Sequence, residues 1–222
     1  MALRKRKTTT IDLHRAALRY LHHLAQVTVP TTHPLISATL AGIRREAANP
    51  LPHQKTALTW DKLTQVVDTI AESDLTSLRD RALLLIGFAG AFRRSELATL
   101  EIKDVNIDEY GMHIRLSHSK GDSKRQGTLI GIPRGVTRNC PVRAYEKWLK
   151  AANLSDGTIF RRICPSQKNK IAPYPTLTPP KIGSAPLSDR AVANIIQKCC
   201  KVTGLEGDFS GHSLRRGAIS TG

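Results

Sequence analysis

The chain has 222 residues and a formal net charge of +16, from 34 Lys and Arg against 18 Asp and Glu. So large an excess points to a polyanionic partner, nucleic acid before any other. Hydrophobic residues make up 40% of the chain, which excludes a disordered basic tail. The charge is also unevenly spread: residues 1–60 carry 9 basic and 2 acidic side chains, residues 61–111 carry 6 and 10, and residues 112–222 carry 19 and 6. An acidic middle between two basic flanks suits a protein that grips its partner from two sides.

The basic run Arg4-Lys5-Arg6-Lys7 is followed by polar Thr8-Thr9-Thr10, not by the apolar core of a secretion signal. The longest apolar run, residues 82–92, is too short to span a bilayer. A cytoplasmic protein with no membrane partner is expected. Residues 8–27 predict an amphipathic helix, with Ile11, Leu18, Leu21 and Leu24 or Ala25 near helical spacing. Residues 34–47 predict a second, on Leu35, Ile36, Leu40 and Ile43, ending in Arg44-Arg45-Glu46. The Pro-punctuated stretch that follows reads as a linker. The expected division is therefore a short helical segment over 1–47, a linker over 48–58 and a main domain over 59–222.

Thr59 is a candidate N-cap for a helix from Trp60 that carries Leu63, Val66, Val67 and Ile70 on one side. Ser77-Leu78-Arg79-Asp80 has capping-box spacing and predicts the start of the central buried helix, through Leu83-Leu84-Leu85-Ile86. Gly87, Ala89, Gly90 and Ala91 allow close backbone approach just before Phe92-Arg93-Arg94-Ser95-Glu96-Leu97, where a short helix to about Leu100 is expected. The periodicity then changes. Met112, Ile114 and Leu116 alternate with polar residues in a half-buried strand pattern, residues 119–127 form a polar turn and residues 128–132 return. Residues 102–107 supply a third strand. A helix over 139–152 places Trp148 and Leu149 toward the core. A short strand at Ile159-Phe160, a basic Pro-rich loop over 161–186 and a helix from Leu187-Ser188 to about Val202, stopped by Gly204, follow. The fold class is mainly α with a small antiparallel β-sheet. Cys140, Cys164, Cys199 and Cys200 include no C-x-x-C pair and no His at zinc spacing. They read as buried, reduced thiols, and neither a metal nor another cofactor is expected.

The chemistry lies near the end, in Phe209-Ser210-Gly211-His212-Ser213-Leu214-Arg215-Arg216-Gly217. With Ser210 as N-cap, His212 and Arg215 fall in the opening turns of a helix and share a face. Unpaired N–H groups and the positive end of the peptide dipole favour a phosphate there. Taken alone, this segment is equally a solvated basic helix start. Arg93, taken alone, reads as a local partner of Glu96, and Lys120 as a solvated hairpin lysine. Their order along the chain shifts the balance: apolar helix, Arg-x-x-Glu, hairpin lysine, basic loop, His-x-x-Arg.

These residues resemble the tyrosine recombinases, the phage integrases and Cre-like site-specific recombinases. Residues from about 57 onward are similar to the catalytic, DNA breaking-rejoining domain. Residues 8–46 are similar to the last helices of the N-terminal core-binding domain, so 1–47 would be its remnant. The resemblance implies a clamp on duplex DNA, working with other recombinase protomers, that performs recombination or integration through a 3′-phosphotyrosine. Arg93 and Arg215 would hold the scissile phosphate and offset charge in the transition state. Lys120 would protonate the departing 5′ oxygen, and His212 would manage the nucleophile's proton. Glu96 would hold the site in shape. Lys124 is the alternative to Lys120, and Arg94 to Arg93. Arg44, Arg45, Lys124, Arg125 and Arg216 are further candidates for DNA contact. The family's tyrosine lies downstream of His-x-x-Arg, whereas Tyr20, Tyr110, Tyr145 and Tyr174 all precede Arg215. Covalent cleavage needs an attacking oxygen. These 222 residues are thus expected neither to cleave nor to join DNA alone, and a non-catalytic duplex-DNA-binding protein is the alternative reading.

Overall fold

The structure is a computed structural model that describes residues 8–28, 31, 33–46, 55–116, 127–164 and 179–221. It divides into two compact units, Met1–Gln54 and Lys55–Gly222. The first contains α1 (Thr8–Leu24) and α2 (Pro34–Glu46), and Arg44 reaches from the end of α2 to Asp12 on α1 at 2.7 Å.

The second unit is organised around α4 (Leu75–Ala89), whose residues Ala82, Leu83, Leu84, Leu85 and Ile86 are all buried. A helix apolar on every side must be covered on every side. The cover comes from α3 (Trp60–Thr69), α5 (Arg94–Thr99), α6 (Pro141–Ala152) and α8 (Gly211–Thr221), while α7 (Asp189–Val202) packs on α5 and α8. The start of α4 corrects the sequence expectation. Asp74 is the N-cap, accepting from the N–H groups of Thr76 and Ser77 at 2.8 and 3.1 Å, and the Ser77 hydroxyl donates to the same carboxylate at 2.7 Å. A carboxylate outcompetes a hydroxyl for this place because it answers both the free N–H groups and the dipole.

Arg79, Asp80 and Arg81 are consequently inside the helix and buried. Buried charge is tolerated only when paired and hydrogen-bonded. Arg79 pairs with Asp80 at 2.6 Å and donates to the Arg161 carbonyl at 3.2 Å. Arg81 donates to the Val67 carbonyl and to Asn139 Oδ1, each at 2.6 Å, and pairs with Glu72 at 3.0 Å. These bonds tie α4 to the end of α3 and the approach to α6.

The sheet β1 (Val105–Ile107), β2 (Gly111–Leu116) and β3 (Thr128–Pro133) is antiparallel in that order. Met112, Ile114 and Leu116 are buried, as their alternation predicts. Residues 102–104, expected as strand, form a 3-10 turn instead. A second antiparallel pair joins β4 (Arg161–Cys164) to β5 (Lys181–Pro186). Here the sequence reading needs correcting twice: the strand follows Ile159-Phe160 rather than containing them, and the two ends of the expected loop pair with each other. Ile159 and Phe160 are fully buried, and the indole of buried Trp148 donates to the Ile159 carbonyl at 2.8 Å. Cys140, Cys199 and Cys200 are buried, and burial pushes the Cys199 and Cys200 thiols up to about 12 and about 11. Cys164 is exposed on β4, contrary to expectation. No helix among the described residues is long and apolar enough to cross a membrane.

Candidate phosphate-binding site

Beyond α4 the chain turns through Ala91, which takes a left-handed conformation with φ of 47°. Arg93 then serves as N-cap of α5, and Glu96 holds it twice. The Arg93 N–H donates to Glu96 Oε2 at 2.8 Å, and Arg93 Nη1 donates to Oε1 at 2.6 Å. The Glu96 side chain is 6% exposed and that of Arg93 is 29% exposed, so a buried carboxylate anchors a guanidinium at the surface. Arg94 diverges toward α7, with Nε 3.6 Å from Asp189 Oδ2.

The other half of the site is α8. Ser210, expected as its cap, contributes a long contact of 3.4 Å from the His212 N–H to its hydroxyl. The tighter bond runs the other way, from the Ser210 N–H to the hydroxyl of fully buried Ser213 at 2.9 Å. A buried hydroxyl must find a partner, and the helix entrance supplies it. Leu214 is buried in the core, whereas His212 is exposed. Gly211 sits so close to α5 that a Cβ there would lie 2.8 Å from Cβ and Cδ of Arg94. Arg215 Nη1 donates to the Ala91 carbonyl at 2.7 Å.

That bond brings Arg215 to the turn carrying Arg93, two residues beyond Ala91. Arg215 and the Arg93–Glu96 pair are thus both attached to the α4–α5 turn, and His212 stands three residues before Arg215 on α8. Lys120, Lys124 and Arg125 lie outside the described residues. Arg216 donates to the Lys55 carbonyl at 2.7 Å. In the other unit, Arg44 is paired with Asp12 and Arg45 is exposed.

Sequence reasoning missed the Ala91 carbonyl, the role of Ser213 and the placement of residues 55–58, read as the end of a linker. These residues lie within the second unit. The N–H groups of Thr56 and Leu58 donate to the carbonyls of Asp208 and Ser213, each at 2.9 Å, and Leu58 is fully buried. Of the tyrosines, Tyr145 is a core residue whose phenol burial pushes up to about 12, and Tyr110 is exposed in the β1–β2 turn.

Residues 56–221 match the phage integrase family, and the chain belongs to that family. It is 37% identical over 190 residues to an integrase/recombinase XerD homolog of Selenomonas ruminantium, covering 85% of this chain and 52% of that protein. The chain thus spans about half the length of this curated relative. A lambda integrase (residues 75–356) dimer bound to a COC′ core site has a similar fold, with a TM-score of 0.57 and 19% identity over 96% of this chain and 66% of that one. XerH recombinase bound to difH substrate is similar at a TM-score of 0.54 and 15% identity, over 86% of this chain and 56% of that one.

Proposed function

We propose that this chain provides the phosphate-binding part of a site-specific DNA recombinase or integrase, acting on duplex DNA in the cytoplasm together with other recombinase protomers. Arg93 and Arg215 grip the scissile phosphodiester, whose oxygens match the guanidinium fork and whose charge grows in the pentavalent transition state. Glu96 fixes Arg93 from beneath. His212 handles the proton of the attacking hydroxyl, and Lys120 protonates the departing 5′ oxygen. Residues 1–47 supply a second, helical surface for the duplex, with Arg44 and Arg45 on it, joined through the stretch that ends before Lys55. Arg216 and the hairpin residues Lys124 and Arg125 add backbone contacts. No metal or small-molecule cofactor is assigned a step.

The observation that supports this reading is the bond from Arg215 to the Ala91 carbonyl, two residues before Arg93. The DNA-bound state of the lambda integrase and XerH structures supports the choice of partner. The second reading is a duplex-DNA binder without strand chemistry. Fluorescence anisotropy with a labelled duplex, across a salt series, tests the shared part. Affinity should fall steeply with salt as phosphate contacts release counterions, and a salt-insensitive complex would contradict both readings. A nicked suicide duplex separates them. A covalent adduct on mixing the chain with a full-length family member, lost in Arg215→Ala, supports the recombinase reading, whereas binding with no adduct in any mixture leaves the binder.

A further inference from the structure

The segment that enters the second unit is bonded along its whole length to the part of the chain bearing His212 and Arg215. In residues 55–58 the alternate N–H groups of Thr56 and Leu58 donate to the Asp208 and Ser213 carbonyls. Thr56 returns the bond, its Oγ1 accepting from the Asp208 N–H at 3.0 Å. Lys55 Nζ lies 2.5 Å from Asp208 Oδ2, and Arg216 closes the other end on the Lys55 carbonyl. A Cβ on Gly217 would stand 1.8 Å from the Leu58 carbonyl oxygen, so strap and helix touch backbone to backbone.

His212 and Arg215 are thus bracketed. The strap holds the chain before them at Asp208, between them at Ser213 and after them at Arg216 and Gly217. The packing of Leu214 on the core side is non-directional and permits the helix to slide or turn. Hydrogen bonds do not, because they weaken steeply with misalignment. Resting on the phosphate-site reading above, we propose that Thr56 and Asp208 are positioning residues for His212 and Arg215. They fix the rotation and height of α8 through the strap, and neither needs to touch the phosphate.

Charge gives the test its sign. Asp208→Asn removes a negative charge and leaves Lys55 at most a neutral acceptor, so electrostatics alone would tighten the binding of an anion. Loss of positioning weakens it. The full chain is titrated with inorganic phosphate while the His212 imidazole resonances are followed by NMR, with circular dichroism and thermal midpoint recorded for each variant. Asp208→Asn and Thr56→Val should each respond to phosphate about tenfold more weakly than the unaltered chain, the order of one misaligned charge-assisted hydrogen bond. Thr56→Ser, which keeps the hydroxyl, should respond normally. Phosphate binding that is unchanged or tighter in Asp208→Asn overturns the proposal, and that variant decides alone if Thr56→Val does not fold. Arg215→Ala separates the two readings. If it abolishes the response while Asp208→Asn leaves it intact, only the positioning role fails. If it responds like the unaltered chain, the phosphate site itself is wrong and the positioning role falls with it.

Discussion

Arg93 belongs to the α4–α5 turn and Arg215 is bonded to it, and the two are held in opposite ways. Arg93 takes its partner from three residues along its own helix, a short-range arrangement that α5 makes as it forms. Arg215 is placed by a carbonyl 124 residues away, and its helix is registered by a strap more than 150 residues away. One half of the site is local and self-contained. The other exists only when the whole second unit is folded. Such a site is assembled by tertiary structure, and its weak side is α8.

Four changes break or sharpen that contrast. The largest effect should come from Gly217→Ala, which drives a methyl into the Leu58 carbonyl; neither backbone can yield, and urea unfolding should show a loss of about 3 kcal/mol. Glu96→Ala strikes the local half. It removes an ion pair and a bond to the helix-capping N–H together, and should cost about 2 kcal/mol. By the same measurement Gly211→Ala should cost about 1 kcal/mol, because much of what its Cβ meets is the flexible Arg94 side chain. Asp74→Ala, away from both halves, should cost about 1 kcal/mol at neutral pH.

That last effect has a defined pH dependence. The Ser77 hydroxyl bond, with help from the Thr76 and Ser77 N–H groups, holds the Asp74 carboxyl below its ordinary value. The bond from Lys147 does the same for Glu72, and that from Arg138 for Asp68. A carboxyl whose pKa is depressed by folding binds its proton more readily in the unfolded chain. The stability it contributes is complete above the unfolded value, near pH 4, and is lost as pH falls through the folded one. Thermal midpoints should therefore drop on going from pH 5 to pH 2, and the difference between the unaltered chain and Asp74→Ala should vanish over the same interval.

The contrast between the two halves also explains what the sequence discloses. Arg-x-x-Glu is readable because spacing of three implies contact on a helix, and the helices at Trp60, Pro141 and Asp189 announce themselves by apolar period, the last also by its Ser188 cap, whereas Thr59 makes no capping bond. The anchor of Arg215 is a backbone carbonyl, which every residue has, so no pattern marks Ala91. The strap stays hidden for a related reason: it follows a Pro-punctuated stretch and holds through N–H groups, with only Leu58 to hint at burial. Arg79-Asp80-Arg81 looks like a polar helix start, and its burial depends on partners that meet only in three dimensions, the Arg161 carbonyl for Arg79 and Val67, Asn139 and Glu72 for Arg81. The β4–β5 pair is masked because Arg161, Arg162 and Lys181 belong to a half-exposed ribbon whose alternation is weak.

The convergence of Arg93 and Arg215 on one anion is most directly tested by a double-mutant cycle on inorganic phosphate binding, read at His212. If both guanidiniums hold the same ion, Arg93→Ala and Arg215→Ala should each lose most of the affinity, and the double variant should lose little more than either. Losses that simply add would mean two independent basic sites and would contradict the account.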